Sequence, residues 1–238
     1  MSITLGIYDF FAYLIPGLLY LFVFNELLRS VGWRFFDAYA WFQYIQTSNA
    51  LFLIPILIPL LIGAYIIGHV LEPIAITFVG FFYRLRNSKR VVVNCIDILE
   101  QRYPDLTIRF EPDDWEILFT FIRQRNIEMA RVIDKFQADS IMLRNIAFGS
   151  FTLSFIQIGV FISNQKLESL INSLIALLFC LLTMLRSIQF RTWFFTDIFE
   201  AALEYGTSLK EVASYNRNNR TTVRKKRQQE VRNKRKAK

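Results

Sequence analysis

Apolar residues run along this chain in long, nearly unbroken blocks rather than in the short alternations of a water-soluble fold. Ile7–Leu28 is interrupted only by Asp9, Pro16-Gly17 and Asn25-Glu26, and Leu51–Tyr83, Ile146–Ser163 and Leu167–Leu185 follow it. A helix needs about 20 mostly apolar residues to cross ~30 Å of hydrocarbon. The second block exceeds one perpendicular crossing, so Leu51–Leu71 is read as the span and the remainder as an interfacial or cytosolic continuation. Few polar residues, Ser163 to Lys166, separate the last two blocks, which predicts a tight helical hairpin. The expected fold is all-α: a polytopic helical membrane protein with four transmembrane helices, a small helical cytoplasmic insertion and a basic C-terminal tail.

The connecting segments differ in character. Arg29–Ala50 carries Trp33, Phe35, Phe36, Tyr39, Trp41, Phe42 and Tyr44, the residue types that settle at a headgroup boundary, so an interfacial segment on the outer leaflet is expected. In Arg84–Asn145, Val92, Ile96 and Leu99 recur at helical spacing until Tyr103-Pro104, where proline stops the helix. Leu106–Phe110 reads as a short β-like stretch. Pro112-Asp113-Asp114 then opens a second helix, whose apolar face runs from Trp115 to Phe136. No proline or glycine follows before Ile146, which predicts one continuous helix into the third span. Capping-type starts at Asp197 and Ser208 predict two short amphipathic helices. The resulting divisions are 1–83, 84–145, 146–186 and 187–238.

Charge orients these elements. Eleven Lys and Arg fall in Arg84–Asn145 and fourteen lie from Arg186 onward, against three in the other two connections. Cationic flanks are retained on the cytoplasmic side, so both termini and the middle loop are expected there. The first block has no basic region before it and no small-residue cleavage pattern, and is expected to persist as a span. With 53% hydrophobic and 20% charged residues and a mean hydropathy of +0.30, the chain is neither disordered nor an ordinary soluble enzyme. Its two cysteines, Cys95 and Cys180, fall in different compartments of this layout, and one histidine cannot make a zinc site. No nucleophile elbow, phosphate-binding loop or metal motif appears. The chain is therefore expected to be non-enzymatic and without a cofactor.

Polar groups at membrane depth are costly and are the first candidates for function. Asp9 enters the first span from the same side at which His69 and Glu72 leave the second. His69 and Glu72, at i and i+3, share a face. The three are a candidate proton-labile cluster, since histidine and a carboxylate removed from water titrate near neutrality; the competing reading is that Asp9 caps its helix and Glu72 snorkels to water. Pro16, Gly17, Pro55, Pro59, Gly63 and Gly68 are candidate hinges, because proline frees a backbone carbonyl within a helix; the alternative is a set of static bends. Ala64 and Gly68, and Ser150 and Ser154, have the small-xxx-small spacing of close helix contacts or homo-oligomers. Gln157, Asn172, Ser173 and Thr183 either line an aqueous path or bond between helices. In the tail, Arg224, Lys225, Lys226, Arg227, Arg232, Lys234, Arg235 and Lys236 suit anionic inner-leaflet lipid, nucleic acid less well, or simple topological retention.

The entry Asp9-Phe10-Phe11-Ala12-Tyr13-Leu14-Ile15-Pro16-Gly17 resembles a group of small bacterial four-span inner-membrane proteins that begin their first span with D-x-x-A-Y-L-x-P-G. The segment Asp134-Lys135-Phe136-Gln137 through Arg144-Asn145 is also similar to that group. The resemblance covers about twenty residues and implies a four-span fold and, for some members, an effector role in antiphage defence; it transfers no catalytic residue. The expected function is a non-enzymatic membrane effector or pore-like homo-oligomer. A signal or soluble partner would act on Arg84–Asn145. The alternatives are a scaffold recruiting a soluble partner, and a small proton-coupled transporter using Asp9, His69 and Glu72.

Overall fold

The computed structural model describes residues 3–33, 50–85, 91–102 and 114–204, all of whose regular structure is helical. Six helices are present among them: α1 (Ile3–Ser30), α2 (Ala50–Leu85), α3 (Val91–Arg102), α4 (Trp115–Arg125), α5 (Ile127–Asn164) and α6 (Leu167–Glu204). Stretches within α1, α2, α5 and α6 are long and apolar enough to cross a membrane. The chain is an all-α, multi-pass membrane protein.

At 1.5 Å per residue, the 38 residues of α5 or of α6 extend about 57 Å, nearly twice the hydrocarbon thickness. Charge locates the surplus: Ile146–Ser163 has no charged residue, whereas Ile127–Asn145 has six. In α6 the stretch Leu167–Leu185 holds only Glu168, and Arg186–Glu204 holds five charged residues.

The ends of these helices have local causes. Gly32, at φ 86°, takes the left-handed conformation that terminates α1, and the Trp33 N–H donates to the Leu28 carbonyl at 2.9 Å. Gln165, also left-handed at φ 51°, turns α5 into α6 and donates its N–H to the Phe161 carbonyl at 2.7 Å. The predicted hairpin thus closes through Gln165 and Lys166 alone.

Two expectations are corrected. The continuous helix from Asp114 to Ile146 is broken at Asn126, which is extended at φ −142°, ψ 97°. Its side-chain Oδ1 accepts the Met129 N–H at 3.1 Å, and so caps α5. A single Asn supplied the break that the absence of proline and glycine had excluded. Nor does a new helix start at Asp197: α6 passes through it to Glu204. A capping residue acts only where the preceding chain has left the helix, and here Phe194, Phe195, Ile198 and Phe199 are buried on a continuous face. Leu106–Phe110, the aromatics from Phe35 to Tyr44, the helix expected from Ser208, and the basic residues from Arg224 to Lys236 lie outside the described residues.

The chain divides into two compact units, Met1–Arg90 with Asp134–Phe194, and Val91–Ile133 with Phe195–Lys238. The divisions at 145/146 and 186/187 read from hydropathy fall inside α5 and α6. In the first unit α1 packs along α2. In the second, Leu99, Leu118, Ile122, Ile133, Ile198 and Phe199 are fully buried, Trp115 meets Phe195 edge to face at 5.7 Å, and Arg102 pairs with Glu200. Burial pushes the Cys95 thiol up, partly offset by the hydrogen bond from Thr196 at 3.4 Å.

Candidate functional site

The site is built on a close crossing of α1 and α2. A Cβ on Gly17 would overlap the Ala64 carbonyl, and one on Gly68 would overlap the Tyr13 carbonyl. Glycine at these two positions lets the backbones touch, the use that small residues have between helices in lipid. Ala64 is completely buried in this contact.

The crossing sets Tyr13 of α1 against His69 and Glu72 of α2. The Tyr13 and His69 rings stack at 3.6 Å with an interplanar angle of 18°, and His69 Nε2 lies 3.0 Å from the Tyr65 hydroxyl. Tyr13 donates its hydroxyl hydrogen to Glu72 Oε2 at 3.0 Å, while Arg144 of α5 donates from Nη2 to Oε1 at 2.9 Å. Both carboxylate oxygens of Glu72 are therefore bonded. Side-chain exposure is only 20% for Glu72 and 13% for Arg144, so each ion needs the other: truncating one partner of a buried pair costs ~3–5 kcal/mol. One residue further along α5, the Asn145 carbonyl accepts the Tyr20 hydroxyl at 2.8 Å. The Asn145 side chain is fully buried, and neither its Nδ2 nor its Oδ1 has a partner among the described residues.

Of the predicted cluster, His69 and Glu72 come together on α2. Asp9 lies within α1, and its side chain falls outside those described. Glu72 does not reach for water but binds Arg144 and Tyr13. The sequence reading missed Tyr13, Tyr65 and Arg144. The signal was present: Tyr13 and Arg144 stand in the two stretches that carried the resemblance, and both bind Glu72.

The candidate hinges separate by packing. Pro16 and Gly17 are buried in the α1–α2 crossing with Gly68, whereas Pro55 and Pro59 are exposed and Gly63 faces open space. All lie inside uninterrupted helices.

The polar positions of the last two spans have two fates. Ser154 and Ser173 face each other at 2.9 Å, with Ser154 also donating to the Ser173 carbonyl. Ser140 and Ser187, nearer the other end of the hairpin, bond reciprocally, each hydroxyl 2.9–3.0 Å from the other's carbonyl. Thr183 bonds back to its own helix at the Phe179 carbonyl, 2.8 Å away. Gln157 and Asn172 instead line an open cleft of about 730 Å³, together with Glu26, Arg29, Lys166 and Glu168. Among the described residues, no group of three or more His, Cys, Asp or Glu is placed to hold a metal ion. No known protein family, curated protein or solved structure matches this chain.

Proposed function

We propose that this chain is a non-enzymatic effector of the bacterial inner membrane, with both termini cytoplasmic, that permeabilises the membrane as a homo-oligomer when a cytoplasmic signal or protein partner engages α3 and α4. One observation carries the reading: α5 supplies Ala130 and Ile133 to the apolar core of the second unit and, along the same unbroken helix, supplies Arg144 to Glu72. A single helix thus bears both a core contact of the receiving unit and the charge that ties the third span to the second. A role in antiphage defence follows from the resemblance of Asp9–Gly17 and Asp134–Asn145. The basic residues from Arg224 to Lys236 bind anionic inner-leaflet lipid in this reading.

A scaffold that recruits a soluble partner is the second reading, favoured by the closed apolar core of the second unit. The transporter reading loses support, because both oxygens of Glu72 are occupied by Tyr13 and Arg144.

Membrane potential, followed by dye fluorescence during inducible expression in a bacterial host, tests the proposal. Depolarisation that changes in Glu72→Gln and Arg144→Gln, and returns toward the parent in the charge-exchanged Glu72→Arg/Arg144→Glu pair, is the expected result. Intact potential with verified membrane insertion, in the presence of a crosslinkable cytoplasmic partner, would replace the effector with the scaffold.

A further inference from the structure

The exposed apolar face of α6 runs through Leu178, Leu182 and Leu185 and then changes chemistry. Along the same face, at helical spacing, stand Arg186, Gln189 and Trp193. The Arg186 guanidinium carbon sits 4.7 Å from the centre of the Phe190 ring and 5.0 Å from that of Trp193, and these two rings meet at right angles, 5.2 Å apart. Phe136 of α5 packs against both, its ring centre 6.0 Å from that of Phe190 and 5.7 Å from that of Trp193. Gln189 accepts one guanidinium N–H. Arg186 has no carboxylate partner among the described residues, and it is exposed.

We infer that Arg186, held against the rings of Phe190 and Trp193, is a binding site for the phosphate of an anionic glycerophospholipid. The arrangement supplies what such a headgroup needs. A guanidinium presents planar donors that match two phosphate oxygens. The two rings attract it by cation–π interaction, and only one of its five N–H donors is taken up by Gln189. The apolar stretch ending at Leu185 sets the platform at the edge of the hydrocarbon, where acyl chains would lie along Leu178 and Leu182 while the phosphate meets Arg186. Tryptophan at this height is the usual interfacial anchor; the arginine beside it, without a carboxylate partner among the described residues, is what selects charge.

The test uses the full chain in lipid nanodiscs with Trp33→Phe, Trp41→Phe and Trp115→Phe, leaving Trp193 as the sole tryptophan. Brominated phosphatidylglycerol, diluted in phosphatidylcholine, is compared with brominated phosphatidylcholine at the same mole fraction as a quencher of Trp193 fluorescence. The expected preference for the anionic lipid is about fivefold, equivalent to ~1 kcal/mol for one basic residue at an anionic surface. Arg186→Gln abolishes it, and Arg186→Lys, which keeps the charge but not the planar fork, weakens it. Equal quenching by both lipids overturns the inference, as does a preference that survives Arg186→Gln. Full retention in Arg186→Lys reduces the site to point charge and overturns the platform. Loss of the preference when millimolar inorganic phosphate is added identifies a free-phosphate site instead.

Discussion

The two units of this protein differ in the balance of large and small residues that they bury. The interior of the second unit is built mainly on large apolar side chains, with Leu99, Leu118, Ile122, Ile133, Ile198 and Phe199 fully buried beside the smaller Cys95, Ala130, Ala201 and Ala202. The interior of the first is dominated by small ones, among them Ala12, Ala64, Ala147, Ser150, Ser154 and Ser173, while Phe22, Ile66, Phe155 and Leu182 point outward. The contrast follows from solvent. In water, removing apolar surface is the driving term, at roughly 25 cal/mol per Å². In lipid, surroundings are as apolar as leucine, so helices associate by close backbone approach and by polar bonds between them. The first unit's arrangement is thus an argument for its solvent independent of hydropathy.

The largest test of the comparison is Gly68→Leu. Its side chain must enter the space of the Tyr13 backbone, which no rotamer relieves, so α1 and α2 must part. A loss exceeding ~4 kcal/mol is expected, in the range reserved for such backbone conflicts, read as failure of the detergent-solubilised chain to run as a single species on gel filtration. Gly63→Leu, a glycine with nothing within 4 Å of a Cβ, is the control and is expected to behave as the parent. Equal behaviour of the two variants would remove the close crossing as the organising contact of the first unit.

Next in size is Leu118→Ala in the second unit. Its side chain is completely buried, so its removal forfeits transfer energy and leaves a cavity, at ~2–5 kcal/mol. Leu182→Ala, at a position 56% exposed, is expected to change bundle stability by less than about 0.5 kcal/mol. Thermal unfolding of the two variants in the same detergent compares the units directly. A Leu182→Ala effect as large as that of Leu118→Ala would mean that the outward leucines of α6 are packed against protein.

How much of this was legible follows the same division. Block length is a property of composition averaged over about 20 residues, and it identified four membrane-length apolar helices and the hairpin, although the second stretch runs Leu57–Phe82 rather than Leu51–Leu71. Ala64 and Gly68 were recognisable by spacing, but not their partners Tyr13 and Gly17, since a crossing involves two segments some fifty residues apart. Arg144 was counted as a topological cation because the sequence places it at a span boundary. Only the fold reveals that a carboxylate from α2 meets it there. The continuation of α6 through Asp197 was hidden for a related reason: the Asp-x-x-Glu pattern is identical at a helix start and in a helix interior, and burial of Phe194, Phe195, Ile198 and Phe199 decides between them.

Asn126 carries a smaller effect that sharpens the boundary between α4 and α5. Its Oδ1 accepts the Met129 N–H, and Asn126→Ala is expected to cost about 1 kcal/mol, the usual value of a lost N-cap. Because the break depends on this residue and not on glycine or proline, Asn126→Leu is expected to raise helix content as well, by joining α4 to α5. Far-ultraviolet circular dichroism at equal concentration detects the joining. Unchanged ellipticity in Asn126→Leu would mean that packing of Leu118 and Ile122, rather than the cap, sets the break.

The smallest expected effect lies in the serine contacts of α5 and α6. Ser154 donates to the Ser173 carbonyl at 3.1 Å, and the two hydroxyls approach to 2.9 Å. Hydrogen bonds between spans average about 0.6 kcal/mol in double-mutant cycles, so Ser154→Ala is expected to lower stability by roughly that amount. Alanine preserves the close packing that a small residue provides, whereas Ser154→Leu removes both the bond and the space at a position only 1% exposed. If smallness is what the hairpin chiefly needs, leucine costs several times more than alanine in unfolding free energy. If the two costs are equal, the hydroxyl bond itself holds α5 to α6 here. The first unit would then be organised by polar bonding in the hairpin and by backbone approach only where α1 crosses α2.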